Sequence, residues 1–151
     1  MDDLISSGGD RIRAYLAALT EVGADPFRHL VLCAFGEGAA YADARELLAR
    51  PDRPTVVFAS DSVIALGVLQ AISDAGLRVP TDVAVVAGDE LAWSRVTTPP
   101  LSTVTQPVAA LGRAALELLT LRLAHPGRPC TDVVLPTTFQ ARASTAGPVR
   151  P

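Results

Sequence analysis

The stretch PTVVFASDSVIALGVLQAISDAGLRVPTDVAVVAG, residues 54–88, decides the fold, because it predicts a strand, a helix and a second strand in succession. Residues 55–59 form a short run rich in β-branched side chains, which favour strands. Residues 60–75 are apolar nearly all round, which is typical of a well-covered helix, and Gly76 suits the position just after its last turn. Residues 83–87 repeat the strand pattern.

The same alternation extends towards the N-terminus. After a polar, glycine-rich lead-in over residues 1–9, Asp10 is a candidate N-cap, and apolar residues at helical spacing predict a helix that ends near Gly23. The apolar run at residues 29–35 predicts a buried strand, and residues 37–50 predict a second helix. Strands that alternate with helices are joined by right-handed crossovers. We therefore predict an α/β fold in which a parallel sheet carries helices on both faces.

The pattern changes after residue 88. A loop leads to an extended segment at residues 102–106, and residues 108–123 predict a fourth helix. Short strands are predicted at residues 133–135 and 139–141, on either side of a proline.

The composition limits the class of protein. The 151 residues, 49% apolar and 19% charged, are those of one globular domain with a hydrophobic core. A net charge of −3 without a basic stripe argues against direct DNA binding by this chain. The two cysteines imply no disulfide framework, and Cys33 is predicted to be a buried, inert thiol. The sequence has no secretory signal and no run approaching the roughly 20 apolar residues of a membrane span, so we expect a cytoplasmic protein without membrane contact.

Aromatic and acidic residues follow the predicted strands. Phe35 ends the first strand, Asp61 follows the second, and Asp89 with Glu90 follows the third. Because the carboxyl ends of parallel strands meet at one edge, we expect these residues to line a ligand site, with Arg11 pointing to the same edge. Carboxylates accept hydrogen bonds from hydroxyls, arginine donates them, and a ring covers an apolar sugar or base face. The set suits a hydroxyl-rich ligand.

Each of these residues also has a structural interpretation. Asp61 can cap the helix that follows it, and Asp89 and Glu90 can be solvated loop acids. Phe35 can close the core, and Arg11 can lie on a helix surface. The coincidence of three strand ends favours the binding role.

Catalytic motifs are absent from the sequence, which contains no G-x-S-x-G, H-E-x-x-H, G-x-x-x-x-G-K-[ST] or C-x-x-C. Gly36 and Gly38 follow a predicted strand without the remaining glycine of a dinucleotide fingerprint. His29 and His125 are far apart, and neither has an obvious acidic partner. We therefore predict that the chain is not an enzyme and has no catalytic residue, metal site or cofactor.

Several segments resemble motifs of the LacI/GalR transcription regulators. Residues 54–67 are similar to P-T-A-V-F-A-S-N-D-x-x-A-L-G, and residues 75–86 to A-G-L-R-V-P-x-D-V-S-V-V. Residues 98–107 are similar to T-P-P-L-T-T-V-x-Q-P. Shorter similarities lie at residues 10–15, 111–112 and 142–145. The matches are colinear, and their combination is specific to this family.

The resemblance implies a type I periplasmic-binding-protein-like sensor in which two subdomains close on an effector, here a sugar, polyol or nucleoside. The residues at effector-contacting positions of the family are Arg11, Phe35, Asp61 and Asp89, with Gln106 near the hinge and the pocket. Asp61 stands where the family usually has asparagine and Ser62 where it usually has aspartate, which suits a more hydroxyl-rich or cationic effector. Ala87-Gly88 replaces a glycine–aromatic pair, which removes a ring beside Asp89.

The resemblance also implies a domain organisation. Residues 1–9 are a flexible lead-in, residues 10–107 the effector-binding C-terminal subdomain, residues 108–138 a segment that packs on the other subdomain, and residues 139–151 a return strand and tail. In the family, a helix-turn-helix, a hinge helix and the first subdomain precede this region. Operator DNA would therefore be contacted only through a module outside these 151 residues. The fourth helix would lack its usual partner, which favours a homodimer or a swapped arrangement.

Two other functions are compatible with the sequence. A transport-type sugar-binding protein shares the fold, although the missing signal peptide and the match at residues 142–145 argue against it. A small α/β enzyme could use Asp61 or Asp89 as an acid or base, although no nucleophile or metal set accompanies them.

Overall fold

The computed structural model describes residues 6–28 and 30–147 of the chain. His29 and parts of the predicted lead-in and tail, residues 1–5 and 148–151, lie outside the described residues. The helices are α1 (Ser6–Glu21), α2 (Glu37–Leu48), α3 (Ser62–Asp74) and α4 (Val108–Ala124), and the strands are β1 (Val56–Ala59), β2 (Ala84–Ala87), β3 (Ser102–Thr105) and β4 (Thr138–Gln140). Two short 3-10 helices span Ala92–Arg95 and Ala143–Thr145.

The four strands form one sheet in the order β1-β2-β3-β4. The first three strands are parallel, with Val57 opposite Val85 and Val86 opposite Ser102. β4 returns antiparallel to β3, which places Phe139 opposite Val104. The α/β class is confirmed, and the parallel sheet gains one antiparallel strand at its edge.

The core lies between α3 and one face of the sheet, and α2 packs on α3. Its members are small and aliphatic, as the scarcity of aromatic residues requires. The buried core residues are Ala44, Leu48, Ala59, Ala65, Val68, Ala71, Ile72, Val83, Val85, Ala87 and Leu101. Small side chains let the two helices approach closely. A Cβ built on Gly67 of α3 would lie 2.3 Å from the carbonyl oxygen of Glu37 at the start of α2.

Both ends of α3 are fixed by local hydrogen bonds. At its start, the Asp61 carboxylate accepts from the backbone N–H groups of Val63 and Ile64. At its end, Gly76 has a φ of 65°, and the N–H of Leu77 donates to the carbonyl of Ile72 at 3.1 Å. This is the glycine-terminated motif predicted from the sequence, in which a left-handed residue satisfies the last carbonyls.

Two predicted strands are not formed. Residues 30–35 have no strand partner among the described residues, and Phe35 is 78% exposed instead of buried. The prediction of a strand at residues 29–35 is therefore wrong over its described part, because an apolar run becomes a strand only where a neighbouring strand supplies hydrogen bonds. The predicted strand at residues 133–135 is wrong for the same reason, and Val134 is exposed.

The first helix begins earlier than predicted, at Ser6. Asp10 therefore lies inside α1 and forms an ion pair with Arg13, so its predicted role as the N-cap is wrong. Gly8 and Gly9 lower the helix propensity of this turn without preventing a helix. Residues 6–9 are helical, and the assignment of residues 1–9 to a lead-in stays a prediction.

Helix α4 has no buried residue. Its large apolar side chains, including Leu116 and Leu123, are 64% and 74% exposed. Within the described ranges, α4 makes no extensive contact with another helix or strand. The uncovered apolar face is the one that the sequence predicts, whereas the assignment of residues 108–138 to a second subdomain stays a prediction. None of the described helices has the length and apolar character needed to cross a membrane.

Replacement of Gly67 by alanine should test the packing of α2 on α3. Alanine favours a helix over glycine by roughly 1 kcal/mol, but here its Cβ meets backbone atoms that cannot rotate away. We expect Gly67→Ala to lower the free energy of unfolding by about 1–3 kcal/mol in urea titrations, as overpacked cores do. Gly112→Ala in α4 is the matched control, because nothing lies within 4 Å of a Cβ built there. A stabilised Gly67→Ala chain would contradict the packing.

Candidate functional site

The carboxyl ends of β1 and β2 are held unusually close together. The N–H of Gly88 donates to the carbonyl of Ala59 at 2.7 Å. A Cβ built on Gly88 would lie 2.1 Å from the carbonyl oxygen of Ser60, so only glycine fits this approach. The residues that follow the two strands, Asp61 and Asp89, are thereby brought to one edge of the sheet.

Asp61 is the N-cap of α3. Its Oδ1 accepts hydrogen bonds from the N–H groups of Val63 and Ile64, both at 2.9 Å. Its Oδ2 accepts from the Ser60 hydroxyl at 3.4 Å. The structural interpretation of Asp61 is therefore realised, and a ligand contact through Oδ2 stays a prediction.

Asp89 has one satisfied and one unsatisfied carboxylate oxygen. Oδ2 accepts from the hydroxyl of Ser62 at 3.3 Å, which ties the loop after β2 to the first turn of α3. Oδ1 is buried and has no hydrogen-bond partner in the described part of the chain. A buried acceptor without a donor is costly, and such groups are few in native proteins. The supporting role of Ser62 was missed because local sequence does not show which carboxylate a hydroxyl reaches.

Glu90 points away from solvent into a cluster of donors. Its Oε2 accepts from Arg142 Nη2 and from the hydroxyls of Thr103 and Thr105, each at 2.9 Å. Arg95 pairs with its Oε1. The side chain is only 7% exposed, so the interpretation of Glu90 as a solvated loop acid is wrong. Its partners lie up to 52 residues away in the sequence, beyond the reach of a local pattern.

These donors lower the pKa of the Glu90 carboxyl from 4.5 to about 2. The hydrogen bond from Arg142 is the largest cause, and burial opposes it. The hydrogen bonds from Thr105, Arg95 and Thr103 add to the lowering. Glu90 is therefore a fully charged, structurally paired carboxylate at neutral pH.

The other predicted ligand residues are less closely tied to this edge. Gln106 follows β3 directly, and its backbone carbonyl accepts from Val108 at the start of α4. The Arg11 side chain makes no hydrogen bond to a described residue, and within the described ranges α1 has no extensive contact with the strands. Phe35 projects into solvent. Asp61 and Asp89 therefore lie at the same edge of the sheet, and Gln106 lies at the end of the adjoining strand. Arg11 and Phe35 are not in contact with this edge.

Cys33 lies in the segment between α1 and α2. Burial raises the pKa of its thiol, and the charges of Asp43 and Asp61 raise it further. A neutral thiol is a poor nucleophile, which agrees with the predicted inert role, whereas the predicted burial is wrong because Cys33 is only partly buried.

Comparison with known proteins identifies the family of this chain. A model of the periplasmic binding protein-like domain matches residues 3–145. The chain belongs to this domain family. The transcriptional repressor PurR of Erwinia tasmaniensis is 35% identical over 147 residues, which are 96% of this chain and 43% of that protein. The chain thus spans less than half the length of this curated relative.

Solved structures agree with this assignment. The complex of the transcriptional regulator CelR with cellobiose has a TM-score of 0.84 and 32% identity over 95% of this chain and 44% of its own. A LacI family transcriptional regulator from Enterococcus faecium with bound ribose has a TM-score of 0.82 and 28% identity over 93% of this chain and 52% of its own. The relatives are LacI-type regulators and not enzymes, as the sequence predicts.

The charge on Glu90 should make the free energy of unfolding depend on pH. Its carboxyl has a lowered pKa in the folded chain, so its contribution is complete above about pH 4.5 and is lost as the pH falls towards 2. We expect Glu90→Gln to be less stable than the wild type near neutral pH, with a gap in the free energy of unfolding that narrows on acidification. Urea titrations along a pH series measure this gap. Glu117→Gln, an exposed change in α4, is the control. A gap that is constant with pH would refute the assignment.

Proposed function

We propose that this chain is the effector-binding domain of a LacI-type transcriptional regulator, and that Asp89 is its central ligand contact. The observation that carries the proposal is the buried, unpartnered Oδ1 of Asp89 at the carboxyl edge of the sheet. A ligand hydroxyl would supply the donor that this oxygen lacks. In parallel α/β sheets, ligands bind at this edge.

A sugar or polyol is the effector class that the edge suits best. Asp61 and Asp89 present acceptor oxygens, and neither forms an ion pair within the described ranges. Adjacent ligand hydroxyls can donate to both carboxylates. The two solved relatives contain cellobiose and ribose, which belong to this class. A nucleoside is the second candidate, because its ribose offers the same hydroxyl pair.

The remaining predicted contacts would complete the site around the bound effector. Gln106 is adjacent to the edge, whereas Arg11 and Phe35 would have to approach it when the effector binds. Operator DNA would be contacted through another part of the regulator, because this chain has a net charge of −3. Such a sensor acts in the cytoplasm.

We also propose that the domain forms a homodimer through α4. Leu116, Leu119 and Leu123 recur at helical spacing on one face of this helix, and all three are exposed. An uncovered apolar face of this kind is typical of an interface. A second copy would cover it with an identical surface about a twofold axis.

Asp89→Asn tests the ligand site. The amide keeps an acceptor for Ser62 but loses the charge that strengthens a hydrogen bond to the ligand. Hydrogen bonds to charged groups are worth about 1.5–3 kcal/mol, so we expect affinity to fall roughly 10- to 100-fold. The measurement is thermal shift and calorimetric titration with D-ribose, cellobiose and adenosine. Asp82→Asn, which alters an Arg78 ion pair elsewhere on the domain, is the matched control.

Two results of this titration would count against the proposal. A wild-type chain that none of the three probes stabilises would oppose the effector-binding function. Undiminished stabilisation of Asp89→Asn would oppose Asp89 as the contact.

The double variant Leu116→Glu/Leu123→Glu tests the dimer. Charges on this face oppose burial against a second copy. We therefore expect the wild type to sediment as a dimer and the double variant to sediment as a monomer. Circular dichroism checks that the fold is intact. Glu117→Lys, an exposed charge reversal away from this face, should leave the association largely in place. A monomeric wild type at concentrations of tens of micromolar would refute the dimer.

A further inference from the structure

The Glu90 carboxylate joins three separate segments of the chain. Glu90 lies on the loop after β2, directly beside Asp89. Its Oε2 receives hydrogen bonds from Thr103 and Thr105 of β3 and from Arg142, which follows β4. Arg142 also donates to the carbonyl of Leu101 at 2.7 Å, which fixes it to the start of β3.

The α4 segment, defined here as residues 106–137, is attached to the body of the domain through β3 and β4. β3 leads into α4 by way of residues 106 and 107, and β4 begins where the chain returns. Thr105 and Thr138 are paired at the point where the segment leaves the sheet. Because α4 has no buried residue, the direction of the segment depends on these two strand ends.

The Glu90 contacts therefore lie between the proposed ligand site and the base of the α4 segment. Thr105 is the last residue of β3, and its hydroxyl bonds directly to Glu90. On the other side, Asp89 is held to α3 by Ser62. A displacement of Asp89 has to be absorbed by its covalent neighbour Glu90, whose carboxylate is fixed by donors on β3 and by Arg142 just after β4. A buried charge keeps such partners because separation from any of them is costly.

We propose that Glu90 is a positioning residue that couples the Asp89 loop to the base of the α4 segment. The part of this proposal that concerns ligand binding rests on the proposed function of Asp89. The mechanical part rests on the contacts of Glu90 alone. Glu90 holds the end of β3 at Thr105 and the Asp89 loop in one orientation, so that a ligand bound at Asp89 alters the exit of the chain into α4.

Hydrogen exchange of the full chain, followed by mass spectrometry, tests the mechanical part. We expect Glu90→Gln to accelerate exchange about tenfold more in peptides covering residues 89–95, 103–106 and 138–142 than in α3, where only the lower global stability of the variant acts. Thr105→Val removes one donor with little change of shape. It should accelerate exchange at residues 103–106 and 138–142 by a smaller factor. Asp82→Asn is the control and should leave all three unchanged.

Three results would overturn the coupling: acceleration confined to residues 89–95, equal acceleration throughout the chain, or no acceleration. The variant Thr105→Val decides the question if Glu90→Gln fails to fold. In that case, unchanged exchange at residues 138–142 in Thr105→Val would refute the coupling.

Exchange in the presence of D-ribose or cellobiose tests the transmission of ligand binding. In the wild type, a bound probe should slow exchange at residues 88–91 and also at 103–106 and 138–142. In Glu90→Gln, the bound probe should still slow exchange at residues 88–91 but no longer at residues 103–106 and 138–142. Protection of the wild type confined to residues 88–91 would refute transmission. The absence of any protection would count against the proposed function, and the exchange of the free chain would still decide the mechanical part.

Discussion

The close approach of β1 and β2 at Gly88 is the constraint on which the site depends. The N–H of Gly88 reaches the carbonyl of Ala59, and no Cβ could be accommodated there. This contact brings Ser62 within hydrogen-bonding distance of Asp89. The loop that begins at Gly88 then brings Glu90 to the hydroxyls of Thr103 and Thr105 on β3. An aromatic residue, which the resemblance to the LacI/GalR regulators leads one to expect beside Asp89, could not occupy position 88 without moving the two strand ends apart.

The parts of the fold that sequence predicts well are those determined over a few residues. The succession β1, α3 and β2 is predicted with every end within two residues of the observed one, because β-branched runs, an aspartate cap and Gly76 act locally. Residues 30–35 show the opposite case. Their apolar character is compatible with a strand, but strand formation depends on a partner that a local pattern does not contain. The apolar face of α4 is likewise visible in the sequence, although what covers it is not.

The residues of the candidate site also differ in whether local sequence determines their role. Asp61 and Asp89 were predicted together because the rule about strand ends follows from topology alone. The role of Glu90 was not predicted, because it depends on Arg142, Thr103 and Thr105, which come together only in the folded sheet. Sequence distinguishes an acidic residue at a strand end from other residues, but it does not distinguish an acid that faces a ligand from one that faces a buried arginine.

This distinction bears on the difference between this chain and the family at position 61. Aspartate and asparagine are both good N-caps, since either side-chain oxygen accepts from the first N–H groups of a helix. The positive end of the helix dipole also stabilises a carboxylate there. Because α3 already uses Oδ1 of Asp61, the change from the usual asparagine is absorbed largely by the helix, with Oδ2 left for a ligand. Asp89 has no such local donor for its Oδ1. Differences in effector choice between this chain and its relatives should therefore originate mainly at Gly88 beside Asp89, where no ring is present.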